Sequence, residues 1–309
     1  DDDYFGRTLA MAGDTIVVGA YREDSAARGI NGTSEEVATD SGAAYVYVRS
    51  GATWILQAYL KASNADAGDQ FGRSIAIEGD LLVVGADREA AAARGVGGDE
   101  ADNSSIQSGA AYVFERNGTT WSQTAYLKSS NPDPGDNLGR SVAVSNNTIV
   151  VAADGEASLA QGVDADQGNN QAAKSGAVYV FVRDVGSWSQ QAYIKASNAN
   201  IGDDFGNSVA LDGNTLVVGA PNEGSRSSGL DPDPFDSQFS GRGAVYVFSR
   251  DGASWSQDSY LKVETESAGL FGYQVGLADG KIVAGAFRES TDARGVTCDF
   301  VDSQSRHSG

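Results

Sequence analysis

The chain is poor in the residues that most often announce chemistry. Its 309 residues hold one cysteine, one methionine, one histidine and five prolines. A lone Cys298 excludes any disulfide within the chain. His307 lies outside any motif, and no nucleophile elbow, phosphate-binding loop, dinucleotide fingerprint or His-rich metal set occurs. No apolar run approaches the ~18 residues that a membrane-spanning helix needs. Basic residues are scarce too: 22 Lys and Arg against 42 Asp and Glu leave a net charge of -20, which speaks against nucleic-acid binding through the phosphates. Glycine, by contrast, is abundant at 39 residues, and with so little proline this points to many tight turns and not to collagen or a proline-rich linker. At 40% hydrophobic and 9% aromatic the chain is too apolar to be disordered. It opens Asp1-Asp2-Asp3 with no signal peptide, so we expect a mature form, a domain or a fragment.

Self-similarity carries the fold. Trp occurs only at 54, 121, 188 and 255, always 67 residues apart. Phe-Gly pairs stand at Phe5, Phe71, Phe205 and Phe271, with Leu138-Gly139 in the remaining place. One unit has therefore been copied, and the copies pack on each other. In the unit that begins at Phe71, strands are expected over Ser74–Ile77, Leu81–Ala86, Gly109–Phe114 and Trp121–Lys128. Two-residue turns such as Gly13-Asp14, Gly79-Asp80, Asn146-Asn147 and Asp279-Gly280 join the first two strands, because φ > 0 is easily reached by Gly and Asn. Only Ala90–Ala93 has the composition for a single helical turn. Four antiparallel strands per repeat predict an all-β fold, a β-propeller of four-stranded blades. A parallel β-helix would have shorter rungs and no paired hairpins. The repeats run over 5–70, 71–137, 138–204, 205–270 and 271–309, the last incomplete, which gives four complete blades and a half blade in one propeller over 1–309. Because the two ends do not complement each other, we expect further blades in a larger protein.

Phe-Gly, a strand, then Val-Val-Gly-Ala resembles the FG-GAP repeat of integrin α propellers, and the array is similar to those of large secreted or surface proteins of bacteria. The motif reads Phe71-Gly72 … Val83-Val84-Gly85-Ala86 and Phe205-Gly206 … Val217-Val218-Gly219-Ala220-Pro221. Ser108–Phe114 and Trp121–Lys128 carry the accompanying signatures. The resemblance covers the whole chain and implies a propeller. It also implies, for integrins, Ca²⁺ in an acidic loop between the first two strands. Here that connection is a short turn that cannot supply six oxygens, so those sites do not carry over.

In a blade, the loop from strand two to three and the crossover from strand four to the next blade share one face. These segments hold 33 acidic and 10 basic residues, so the excess negative charge belongs to that face and the remainder of the chain is slightly basic. Solubility is one reading of it; a cationic partner or divalent cations is the other. Two recurring patterns are candidates. Crossovers carry Asn64, Asp66, Asp69; Asn131, Asp133, Asp136; and Asn198, Asn200, Asp203, an alternation of oxygens around a Gly turn that suits Ca²⁺. The alternative is turn capping by Asn and Asp, since no Glu closes the loop. Asp164–Asn169 is a single, weaker copy. The second pattern is Glu23, Glu89, Glu156, Glu223 and Glu289, with Gly29, Gly95, Gly162, Gly229 and Gly295 six residues later. These carboxylates either pin the long loop through backbone or Arg hydrogen bonds or form a binding ring. Trp54, Trp121, Trp188 and Trp255, with Tyr59, Tyr126, Tyr193 and Tyr260, suggest packing between strands or blades, or repeated lectin sites. Lys61, Lys128, Lys195 and Lys262 end the same strands and are expected to be solvated or paired.

The breaks in the repeat fall at Leu138, Ala152-Ala153, Asp231–Pro234 and Gly241-Arg242, and none assembles an acid, a base and an electrophile. We therefore expect a non-enzymatic, extracellular binding or adhesion module, secreted or at the cell surface, that meets a protein or glycan ligand, or its own kind, on the acidic face. A lectin-like or polysaccharide-lyase-like propeller is the alternative. The sequons at Asn31, Asn103, Asn117 and Asn146 would allow glycosylation in a eukaryotic source.

Overall fold

The computed structural model describes residues 2–33, 35–225, 229–230, 241–263 and 269–287. Blade 1 consists of β1 (Thr8–Ala12), β2 (Thr15–Ala20), β3 (Ala43–Ser50) and β4 (Thr53–Leu60). Blade 2 consists of β5 (Ser74–Glu78), β6 (Leu81–Ala86), β7 (Ala110–Asn117) and β8 (Thr120–Leu127). Blade 3 holds β9 (Leu138–Ser145), β10 (Thr148–Ala153), β11 (Ala177–Asp184) and β12 (Ser187–Ile194). Blade 4 holds β13 (Ser208–Asp212), β14 (Thr215–Ala220), the short β15 (Gly229–Leu230), β16 (Ala244–Asp251) and β17 (Ser254–Lys262). The half blade is β18 (Phe271–Ala278) paired with β19 (Lys281–Ala286). Each complete blade is an antiparallel meander, and the described residues form the predicted propeller of four blades and a half.

Local chemistry explains the hairpins. The first residue of each two-residue turn is left-handed, with φ between 50° and 58° at Gly13, Gly79, Asn146, Gly213 and Asp279. The second strands are apolar almost throughout, because a middle strand in a stack of blades is covered on both faces. The core therefore lies between blades. Val17, Val46, Ala58 and Leu60 of blade 1 meet Leu82, Val84, Phe114 and Trp121 of blade 2 in one buried cluster. The same faces meet between blades 2 and 3 and between blades 3 and 4. The Val, Leu and Phe side chains among them each contribute about 1.5–3 kcal/mol on burial. On blade 1 the equivalent of the buried Trp121 is Trp54, 42% exposed, because no described blade covers that face.

First strands stand side by side around the axis. Ser74 Oγ of β5 donates to the Gly139 carbonyl of β9 at 2.7 Å, and Thr8 Oγ1 of β1 donates to the Gly72 carbonyl at 2.8 Å. The backbones approach closely enough to explain both motif glycines. A Cβ on Gly19 would lie 2.4 Å from the Gly72 oxygen, and one on Gly85 would lie 2.2 Å from the Gly139 oxygen. Blade 3 carries Ala152 at this position, and there a Cβ on Gly206 would meet the Ala152 methyl at 3.0 Å.

Beyond the fourth, Trp-bearing strand of each complete blade the long loop folds back and adds a bridge or short strand. Ile30 pairs with Leu60, Val96 with Leu127, Val163 with Ile194, and β15 with β17. The preceding Gly29, Gly95, Gly162 and Gly229 have φ of 72°, 71°, 80° and 98°, which only glycine adopts readily, and the return segment blunts the sheet edge. The helical turn expected at Ala90–Ala93 does not form. The Ala90 carbonyl accepts the Ser105 N–H and the Ala91 carbonyl accepts the Ser108 hydroxyl, which fixes the loop in an irregular path. Among the described residues there is no helix, hence none long and apolar enough to cross a membrane.

Candidate binding site on the loop face

The recurring Glu and Lys come together as buried pairs. In blade 2, Lys128 Nζ donates to Glu89 Oε2 at 2.9 Å and to Ser108 Oγ at 2.8 Å, with both charged side chains fully buried. In blade 3, Lys195 holds Glu156 at 2.7 Å and Ser175 at 2.6 Å. Lys61 holds Glu23 and Ser41 at 2.7 and 2.6 Å, and Lys262 holds Glu223. Burial pulls all four ammonium groups below the usual lysine range, and their Glu partners oppose that shift. The carboxylates do pin the long loop through the backbone: Glu89 Oε1 accepts the Ala91 N–H at 3.1 Å, and Glu156 Oε1 accepts the Ser158 N–H at 3.1 Å. The cation is the Lys at the end of the Trp-bearing strand, not Arg. Glu289 lies outside the described residues.

The same carboxylates reach the neighbouring blade through the crossover asparagines. Asn64 Nδ2 donates to Glu89 Oε1 at 3.0 Å while Tyr112 donates to Asn64 Oδ1 at 2.5 Å. Asn131 joins Glu156 and Tyr179 at 3.4 and 2.6 Å, and Asn198 joins Glu223 and Tyr246 at 3.1 and 2.7 Å. In blade 1 the Tyr59 hydroxyl fills that role, donating to Glu23 Oε1 at 2.7 Å. Each complete blade thus carries a buried Lys–Glu pair, and three are stitched to the preceding crossover through Asn and Tyr.

Other crossover side chains have protein partners as well. Asp69 Oδ2 caps the Asp66 N–H at 2.9 Å, Asp136 Oδ2 caps Asp133 at 2.9 Å and Asp203 Oδ2 caps Asn200 at 2.8 Å. Asp66 itself holds Arg28 at 3.1 Å and Asn103 at 2.8 Å, Asp133 holds Asn170 at 2.8 Å, and the Asn200 amide donates to the Asn198 carbonyl at 2.9 Å. Burial pushes the Asp69, Asp136 and Asp203 carboxyls up to about 7, with repulsion from Glu89, Glu156 and Glu223 adding to it and the capped N–H opposing it. Asp164 accepts the Tyr193 N–H at 2.9 Å and Asp166 caps Gly168 at 2.9 Å. Among the described residues no three Asp, Glu, His or Cys side chains converge as metal ligands would.

Near the axis the repeat varies, and sequence reasoning overlooked this region. The residue after Phe-Gly is Arg7, Arg73, Arg140, Asn207 and Tyr273 in successive blades, and the residue after Gly-Ala or its equivalent is Tyr21, Asp87, Asp154, Pro221 and Phe287. Arg73 stacks over the Tyr21 ring at 4.9 Å and reaches Asp87 at 3.2 Å. Arg140 spans Asp87 at 3.8 Å and Asp154 at 3.1 Å. A cavity of about 300 Å³ opens beyond Arg140, where the repeat departs to Asn207 and Pro221. The signal was present in those two substitutions, but they sit 14 residues apart and meet only through the fold.

A comparison with protein families places this geometry. The family described as FG-GAP repeat matches residues 1–47, 54–114, 121–181 and 188–248, one match for each complete blade. No curated protein matches the chain.

Proposed function

The chain belongs to the FG-GAP repeat family, and we propose that it is a non-catalytic binding module of the cell exterior, secreted or surface-held, that meets a protein or glycan on its loop face. One observation carries this reading. The Lys and Glu shared by every complete blade are buried against each other, whereas the positions after Phe-Gly and after Gly-Ala differ between blades and gather at the axial end of the loop face around a cavity. A scaffold that repeats its internal bonds and varies its mouth is built to hold something there. The long loops around that mouth carry the acidic excess and favour a partner with complementary positive charge.

Attachment of the purified chain to cells or matrix tests the reading. Neutralising exposed loop-face carboxylates (Glu36→Gln, Asp99→Asn, Asp166→Asn) should lower attachment, while Asp14→Asn, Asp80→Asn and Asp279→Asn on the opposite turns should leave it unchanged. Equal effects of the two sets, or no attachment, would count against it. The location is checked by labelling intact cells with a membrane-impermeant biotin reagent.

A further inference from the structure

The cavity beside Arg140 lies where the repeat loses an arginine and an aspartate. Asp87 draws on two guanidinium groups, Arg73 at 3.2 Å and Arg140 at 3.8 Å. By the repeat, Asp154 would draw on Arg140 and on an arginine at 207, and a further aspartate would stand at 221. The chain has Asn207 and Pro221 instead, so Asp154 keeps only Arg140 at 3.1 Å, while Asn207 accepts from Arg140 Nη2 at 3.3 Å and donates to the Tyr273 carbonyl at 2.9 Å. The missing guanidinium and carboxylate leave the opening of about 300 Å³.

Its lining combines charged, amide and apolar side chains. Arg140 and Lys174 balance Asp154 and Asp204, so neither a cation nor an anion is favoured by net charge. Asn137 donates to Asp154 and Asn222 donates to Asp204, which fixes both carboxylates as acceptors facing the same space. Pro221, Leu270 and Tyr273 are the apolar members of the lining. The Tyr273 ring is steadied by stacking on Phe287, centroids 4.9 Å apart and 23° from parallel.

From this we propose that the axial cavity is a saccharide subsite, taking one neutral pyranose ring. Its hydroxyls would bond Asp154, Asp204, Asn207 and Lys174, and its C–H face would lie on Tyr273 and Leu270. A charge-balanced site that combines hydrogen-bonding groups with an aromatic side chain suits a ring that is polar at its rim and apolar on its face. The volume stands at the low end of small-molecule sites, ~300 Å³, which is room for one sugar unit and not a chain of them. The proposal rests on the loop-face reading above and names its ligand.

The test is a ¹H–¹⁵N spectrum of the full chain titrated with methyl glycosides of glucose, galactose, mannose, fucose and N-acetylglucosamine. At least one should move the side-chain amide signals of Asn137, Asn207 and Asn222. The Asn207→Arg/Pro221→Asp variant restores residues that blades 2 and 3 already carry, so it should fold, melt no lower than the wild type and lose the response. Lys174→Ala, at an exposed position, should weaken it at least several-fold without refilling the cavity. A panel that leaves these amides unmoved, or a response that survives refilling, overturns the proposal. So does a response to arginine amide in place of the sugars. The attachment assay would still depend on the loop-face carboxylates in those cases, so failure of the saccharide subsite is distinct from failure of the binding face.

Discussion

Trp188 buries its indole N–H without an acceptor, and the residue that stands where an acceptor is found in the other blades is Thr124. Trp121 donates to Gln57 at 2.8 Å, and Trp255 donates to Gln191 at 3.0 Å, each reaching across to the preceding blade. The Thr124 hydroxyl is instead donated to Glu115 at 3.0 Å within its own blade. An unpaired buried donor costs ~1–3 kcal/mol. Thr124→Gln should therefore raise stability by about 1 kcal/mol in chemical denaturation, and Thr124→Gln combined with Trp188→Phe should not. A gain that persists without the indole would show that the interface gains from packing and not from this hydrogen bond.

The Lys128–Glu89 pair makes a sharper demand. Both side chains are fully buried, so removing one leaves an uncompensated charge. Lys128→Met alone should cost about 3–5 kcal/mol, and Lys128→Met with Glu89→Leu should recover much of that. Denaturant midpoints for the two singles and the double decide it. A single that costs under about 1 kcal/mol would mean that water reaches the pair.

Stability should also fall as pH rises toward neutrality. Asp69, Asp136 and Asp203 have carboxyls raised to about 7 when folded, against ~3.9 in an unfolded chain. Between those values the folded state binds more protons, so the contribution of these groups is present below pH ~4 and is lost as pH climbs through 7. Melts from pH 4.5 to 7.5 should show a slope that flattens in the triple variant Asp69→Asn, Asp136→Asn, Asp203→Asn. If the variant keeps the wild-type slope, the dependence comes from elsewhere.

Much of the fold was legible because its signals are local and copied. Asn146-Asn147 and Gly79-Asp80 specify hairpins within a few residues, and the interval between Trp121 and Trp188 announces the unit. The motif glycines could be seen but not explained from sequence, because the reason for Gly85 is a backbone oxygen at Gly139, in the next blade. Lys128 read as a strand-end cation that is solvated or paired, and its partner Glu89 lies 39 residues earlier in a loop, so burial and partner became visible only in three dimensions. Asn64 and Asp66 looked alike as oxygen donors, yet one is buried against Tyr112 and the other lies half-exposed against Arg28. The axial cavity escaped notice because it is made by what Asn207 and Pro221 lack.

The central claim is that the oxygens shared by the blades are already engaged inside the protein, which leaves binding to the positions that vary. Thermal denaturation in millimolar calcium and in a chelator tests it most directly. With Asn64, Asp69, Asn131, Asp136, Asn198 and Asp203 held by protein donors, the two melting temperatures should coincide. One calcium site at ~100-fold excess over its dissociation constant would instead add ~2.7 kcal/mol. A rise in calcium that disappears on substituting Asp69, Asp136 and Asp203 by Asn would contradict the claim and make the crossovers the binding sites.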